Sequence, residues 1–171
     1  MNWDAIGAVG EVVGAIGVIV TLAYLALQIR QSNRQEAMQG VQGAIEGFVS
    51  TYAGLTANET DAANFRSGLN NFDAMPRNDK SIFHSKMQLL AGRYYQVLVL
   101  YRNGVLLDKE LFLTSEVVFL SILLSPGTQQ WWASYKHLPP KSLTVYLERR
   151  MEEERSKIVP ASKDLQWYGS D

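Results

Sequence analysis

The sequence predicts an all-α protein in which one N-terminal transmembrane helix continues into a stalk and is followed by a small cytoplasmic helical bundle. Three observations predict this fold. The run from Ile6 to Ile29 contains a single charged residue, apolar residues further along recur at helical spacing, and no internal repeat or strand–helix alternation appears. We expect the membrane segment in residues 1–30, the stalk in 31–57, the bundle in 58–158 and an extended tail in 159–171.

The apolar run is long enough to cross a bilayer. With a rise of about 1.5 Å per residue it makes about 36 Å of helix, against about 30 Å of hydrocarbon. After Glu11 the run is apolar on all sides, whereas a soluble helix usually keeps a polar stripe. The leader MNWDA has no Lys or Arg, unlike a cleaved signal peptide. We therefore expect a retained membrane span.

The positive charges near the span predict its orientation. Arg30 and Arg34 directly follow the apolar run, and no basic residue precedes it. Because Lys and Arg are retained on the cytoplasmic side, the short N-terminus is expected outside and the remainder of the chain in the cytoplasm.

Small residues follow one side of the membrane helix. Gly7, Gly10, Gly14 and Gly17 are spaced by three, four and three residues, and Thr21 continues the pattern. Glycines let two helix backbones approach closely in lipid, where packing rather than the hydrophobic effect drives association. These five residues, called the glycine face below, predict self-association or docking on another membrane subunit.

Glu11 lies beside the glycine face and has two interpretations. In an oligomer, a ring of such carboxylates is a candidate site for cations or protons. Alternatively, the side chain is a structural hydrogen-bonding group or reaches the outer headgroups, because a charge deep in lipid costs at least about 2.5 kcal/mol.

The rest of the chain is predicted to form helices that begin and end at local capping and turn residues. The firmest prediction is the helix in which Phe83, Met87, Leu90, Tyr94, Val97 and Tyr101 recur at alternating spacings of four and three, ending at Asn103-Gly104. Asn58 or Thr60 is expected to cap the helix before it, and Asp108 the helix after it. The apolar stretch Leu111–Leu124 is too short for a second span and is predicted to be the central core helix.

The candidates for chemistry are few. His84 and His137 lie in no metal-binding motif, and the chain has no cysteine, phosphate loop or nucleophile elbow. We therefore expect neither an enzyme nor a metal or cofactor site, with His84 as a packing histidine. A net charge of −1 with scattered charges also argues against nucleic acid as a partner.

Two aromatic pairs are candidates for docking a partner. Of Trp131 and Trp132, we expect one to be buried and the other to face a membrane surface or a partner. Trp167 and Tyr168 in the tail are expected to dock on a neighbouring subunit. The segment ERRMEEERSK is predicted to be a solvated helix face.

The segments IGAVGEVVGAIGVIVTLAYLALQIRQSNR and PGTQQWWASYKHL carry a resemblance. Together they resemble short bacterial single-pass membrane proteins of unknown function, which have a Gly-rich N-terminal membrane helix and a helical cytoplasmic domain. The resemblance covers about a third of the chain and implies a bacterial inner membrane; it brings no catalytic residues.

These observations lead to one principal hypothesis and two alternatives. The principal hypothesis is a non-enzymatic assembly or scaffold subunit that associates with copies of itself in the lipid bilayer. The first alternative is an oligomeric ion channel or ion-coupled device that uses Glu11. The second is an accessory subunit of a larger membrane complex.

Overall fold

The computed structural model describes residues 3–164, and it describes side-chain exposure for residues 10, 11 and 14–163. This part of the chain contains seven α-helices and no strand, so the all-α prediction is confirmed. The helices are α1 (Trp3–Gly54), α2 (Glu59–Asn71), α3 (Arg77–Arg102), α4 (Lys109–Leu123), α5 (Pro126–Tyr135), α6 (Lys141–Glu154) and α7 (Ala161–Asp164).

The chain divides into two compact units, Met1–Gly40 and Val41–Asp171, and the boundary lies inside α1. In the first unit, every residue from Gly14 to Gly40 is exposed. Large apolar side chains are among them, including Ile19 at 65% and Val20 at 62%. This unit therefore has no protein core of its own in the described residues.

The second unit has a continuous apolar core that includes the end of α1. Ala44, Phe48 and Leu55 are buried in it. The predicted stalk, residues 31–57, is therefore wrong for residues 41–57, which belong to the second unit. Because the stripe formed by these residues is covered by the bundle, this part of α1 is a bundle helix.

Helices α3 and α4 form the centre of the core. Phe83, Met87, Leu90, Tyr94 and Val97 of α3 are all completely buried. On α4, the buried residues include Phe112, Phe119, Leu120, Ile122 and Leu123. The helices α4 and α5 meet at a bend of 91°. The prediction of a core helix in Leu111–Leu124 is confirmed by this burial.

Local signals set several helix ends. The side chain of Asn58 accepts a hydrogen bond from the Asp61 amide (2.9 Å) at the start of α2. Asp108 accepts one from the Leu111 amide (3.0 Å) at the start of α4. Gly104, with φ +68°, follows the end of α3. Side-chain caps and a left-handed glycine satisfy backbone groups that a helix end leaves free.

Two glycines allow close approaches to α2, by α5 at Gly127 and by Phe83 of α3 at Gly68. A Cβ atom on Gly127 would lie 2.8 Å from the backbone nitrogens of Asn71 and Phe72 and would overlap the carbonyl oxygen of Gly68. A Cβ atom on Gly68 would overlap the ring of Phe83. Only glycine fits at both positions.

The beginning of the predicted extended tail is helical instead. Ala161–Asp164 forms α7, and the Ser162 amide donates a hydrogen bond to the Ser125 hydroxyl (3.1 Å). Both serines are buried. The prediction of an extended tail is wrong for this segment because this hydrogen bond ties it to the turn between α4 and α5. Trp167 and Tyr168 lie outside the described residues.

Candidate functional site

The described part of the glycine face has no protein neighbour among residues 3–164. Cβ atoms placed on Gly10, Gly14 and Gly17 would meet nothing within 4 Å. The Thr21 hydroxyl donates a hydrogen bond to the Gly17 carbonyl oxygen (2.8 Å), so it is satisfied by its own helix. Gly7 lies in α1, outside the residues whose exposure is described. The described part of the face is therefore open, and its one side-chain hydroxyl group already has a hydrogen-bond acceptor.

The rest of the helix surface around the glycine face is apolar. Ile16, Val18, Leu22 and Leu27 are each more than half exposed. In the described residues, one helix is long and apolar enough to span a membrane, running from Gly14 to Gly54. By length and composition this helix matches the predicted anchor.

Glu11 is exposed next to the glycine face. At about 100° per residue it is displaced by about 100° from Gly10 and by about 60° from Gly14 around the helix. Among the residues whose side chains are described, its carboxylate has no hydrogen-bond or ion-pair partner. The side chain therefore lies at the edge of the surface that a second helix would cover.

The expectation that one of the two adjacent tryptophans is exposed is wrong. Trp131 is 2% exposed and Trp132 is 5% exposed. The Trp131 indole nitrogen donates a hydrogen bond to Nδ1 of His84 (3.0 Å), and Tyr135 packs against the His84 ring at 4.1 Å between ring centroids. Burial lowers the pKa of His84 below its usual value. His84 is thus a neutral packing residue.

A buried polar cluster connects α3, α4 and α6. Its centre is the Glu116 carboxylate, which is 1% exposed. Arg150 donates from Nη2 (2.8 Å) and Nε (3.2 Å), while the hydroxyl groups of Tyr94 (3.3 Å) and Tyr146 donate to the same carboxylate. These four residues are called the Glu116 cluster below. A buried carboxylate needs such donors because desolvation otherwise strongly disfavours its charge.

The cluster keeps its tyrosines neutral. Burial, together with the hydrogen bond to Glu116, raises the pKa of Tyr146 to about 12. Burial also raises the pKa of Tyr94, with the Glu116 charge as a further cause. The hydrogen bond to Glu116 raises the pKa of Arg150. Both hydroxyl groups therefore remain donors throughout the physiological pH range.

Sequence analysis missed the Glu116 cluster. On the predicted solvated face of α6, Arg149 and Glu153 form an ion pair at 3.5 Å. The next residue, Arg150, instead turns toward α4 and reaches Glu116. A signal was available, because a glutamate within the apolar Leu111–Leu124 stretch requires a buried cation or donors.

Two surface depressions lie beside α6. A cleft of about 160 Å³ has an uncharged wall that includes Tyr95, Trp131, Tyr135, Leu138, Pro139 and Leu143. A wider groove of about 590 Å³ lies between the end of α3 and α6, and its lining includes Tyr101, Arg102, Lys141, Ser142, Tyr146 and Arg149. The two depressions thus differ sharply in charge. In the described part of the chain, no group of three or more His, Asp or Glu residues is placed to hold a metal ion.

Comparison of the chain with protein-family models, curated proteins and solved structures gives no match. The resemblance to short bacterial membrane proteins stays a prediction from its sequence segments.

Proposed function

We propose that the protein is a non-enzymatic, membrane-anchored assembly subunit whose copies associate through the glycine face of α1. The observation that carries the proposal is the open surface at Gly10, Gly14 and Gly17 on a helix whose apolar side chains are exposed. Lipid and a second helix together would cover that surface.

The membrane part of the proposal rests on what the exposed side chains require. Water is a poor solvent for a helix with Ile16, Ile19, Val20 and Leu22 uncovered, since each buried large apolar side chain is worth about 1.5–3 kcal/mol. Hydrocarbon covers them without a protein core. The helix also satisfies its own backbone hydrogen bonds, as a bilayer demands.

The assembly part of the proposal rests on the glycine face. In lipid, all apolar faces of a helix are equally well solvated, so partners are selected by close packing. A face without side-chain bulk lets two backbones come together, and identical faces favour closed dimers or rings. The cations Arg30 and Arg34 support a cytoplasmic location for the bundle and, with the resemblance, a bacterial inner membrane.

Particle mass in a mild non-ionic detergent tests the proposal. The wild-type chain is expected to form a discrete oligomer, and Gly14→Leu is expected to shift it to monomers by holding the helices apart. Ala23→Leu is the matched control, because residue 23 lies about 180° from residue 14 around the helix. A wild-type chain that is strictly monomeric in detergent and in crosslinked native membranes would refute self-association, and a stoichiometric foreign subunit would indicate an accessory role.

A second candidate function is an ion-conducting or ion-coupled oligomer. The exposed Glu11 carboxylate at the edge of the glycine face favours it, because association would bring several carboxylates together. Ion flux into liposomes, compared between wild type and Glu11→Gln, separates the functions. A scaffold shows neither flux nor dependence on this carboxylate, whereas a channel loses flux or selectivity.

A further inference from the structure

The groove between α3 and α6 carries a concentration of positive charge. Arg102 comes from the last turn of α3, and Lys141 and Arg149 come from α6. No carboxylate lines the groove. Within the described residues, Arg102 and Lys141 form no ion pair, so their charges are not neutralised by the bundle itself.

One of the three cations is partly neutralised. Arg149 pairs with Glu153 at 3.5 Å, but its side chain is 62% exposed. Glu153 also pairs with Arg150 at 2.8 Å. An anion in the groove would therefore compete with Glu153 for Arg149 only, and Glu153 would retain Arg150.

The backbone at the beginning of α6 adds donors to the same groove. Pro140 precedes the helix and provides no side-chain cap, and the first turn has no acidic residue. The amides of Lys141 and Ser142 have no acceptor in the described part of the chain. Free amides and the positive end of the helix dipole both favour an anion, and the Ser142 hydroxyl group is a further donor at the groove wall.

The groove also has apolar surface. Val145, the buried Leu98, Tyr101 and Tyr146 line it together with the cations. The position of Tyr146 is fixed by its hydrogen bond to Glu116, and that of Tyr101 by stacking on Phe112 at 4.0 Å between centroids. A volume of about 590 Å³ accommodates an anionic group together with an organic portion.

We propose that this groove binds a phosphate group, carried by a soluble phosphorylated molecule or by an anionic lipid headgroup, between Arg102, Lys141 and Arg149. Phosphate suits the site because its multiple charged oxygens accept hydrogen bonds from guanidinium, ammonium and backbone amides at once. The inference goes beyond the assembly role, since it assigns a ligand to the bundle and does not depend on self-association.

Calorimetric titration of the full chain in non-ionic detergent tests the proposal with two probes. Pyrophosphate represents the soluble source, and short-chain dioctanoyl phosphatidylglycerol, compared with dioctanoyl phosphatidylcholine, represents the lipid source. The variant combines Arg102→Gln with Lys141→Gln. The matched control combines Arg77→Gln with Lys163→Gln, two exposed cations outside the groove.

The groove variant is expected to weaken binding at least about tenfold, since it removes two cationic donors of charge-assisted hydrogen bonds, whose contribution exposure reduces. The control is expected to bind like wild type, and circular dichroism should be equal for all three. Binding of pyrophosphate, of phosphatidylglycerol or of both supports the site and identifies the source. Absence of binding by both probes at millimolar concentration, or equal weakening in both variants, would overturn the proposal.

Discussion

Arg150 of α6 and Glu116 of α4 form a buried ion pair, with Nη2 of the arginine 2.8 Å from Oε2 of the glutamate. The pair lies within an otherwise apolar interface, beside the completely buried Tyr94 and Phe119. Because the Glu116 carboxylate takes all four of its donor atoms from α3 and α6, it connects three helices of the bundle.

Replacement of Arg150 by Met is expected to destabilise the bundle by about 3–5 kcal/mol, because it leaves the Glu116 charge buried without its cation. Guanidinium unfolding of the full chain in non-ionic detergent, followed by the fluorescence of the buried Trp131 and Trp132, measures the change. Arg149→Met is the matched control, and its exposed ion pair is expected to contribute less than about 1 kcal/mol.

The double variant Glu116→Leu with Arg150→Met is expected to recover part of that loss, because it removes the unpaired buried charge, while the hydroxyl groups of Tyr94 and Tyr146 lose their acceptor. Equal unfolding midpoints for Arg150→Met and Arg149→Met would show that the Glu116 cluster contributes nothing beyond a surface pair.

Alanine is expected to have opposite effects at two glycines of the bundle, one in the close approach of α2 and α5 and one on the open surface of α3. Gly127→Ala is expected to destabilise the bundle by at least about 1–3 kcal/mol, because its Cβ atom meets the backbone of α2. Gly92→Ala on α3 is expected to stabilise it by up to about 1 kcal/mol, because its Cβ atom meets nothing within 4 Å and alanine favours a helix. The same unfolding measurement checks both, and a neutral Gly127→Ala would refute the close approach.

The contact between His84 and Trp131 predicts a loss of stability in mild acid. The pKa of His84 is lowered by burial, so the unfolded chain takes up a proton at a higher pH than the folded chain. The contribution of His84 to the free energy of unfolding is therefore complete above the usual histidine pKa of about 6.5, and it decreases as the pH falls below that value.

Unfolding midpoints at pH 7.5 and pH 5.5 check the acid prediction, with His84→Gln as the comparison. The variant lacks the titrating group and is expected to lose less stability over this interval than wild type. His137→Gln, at an exposed position, serves as the control and is expected to keep the wild-type dependence. Identical pH profiles for wild type and His84→Gln would contradict the prediction.

The parts of the fold that local sequence specifies were predicted correctly. The α3 stripe follows from its three-and-four spacing, and Asn58 and Asp108 are caps because their side chains reach the amide three residues ahead. The interactions that sequence analysis missed are long-range ones. Arg150 and Glu116 are 34 residues apart, and their pairing depends on which face of α6 meets α4.

The two tryptophans and the end of α1 also show that local sequence does not reveal which surfaces distant helices cover. A Trp-Trp pair on a short helix suggests one inner and one outer ring, but packing of α5 against several neighbours covers both. Likewise, the stripe through Phe48 and Leu55 was recognised as apolar, yet sequence alone did not reveal that the bundle covers it. The glycine face is different, because its pattern is visible in sequence and no described residue lies against Gly10, Gly14 or Gly17.

Disulfide crosslinking in native membranes can test association through the glycine face directly, because the chain has no cysteine of its own. Thr21→Cys places a thiol on the glycine face, and Ile19→Cys places one at almost the same depth but about 160° away around the helix. If copies associate through the glycine face, Thr21→Cys forms disulfide-linked dimers rapidly under mild oxidation and Ile19→Cys forms few. Equal crosslinking at the two positions, or none at Thr21→Cys, would contradict association through this face.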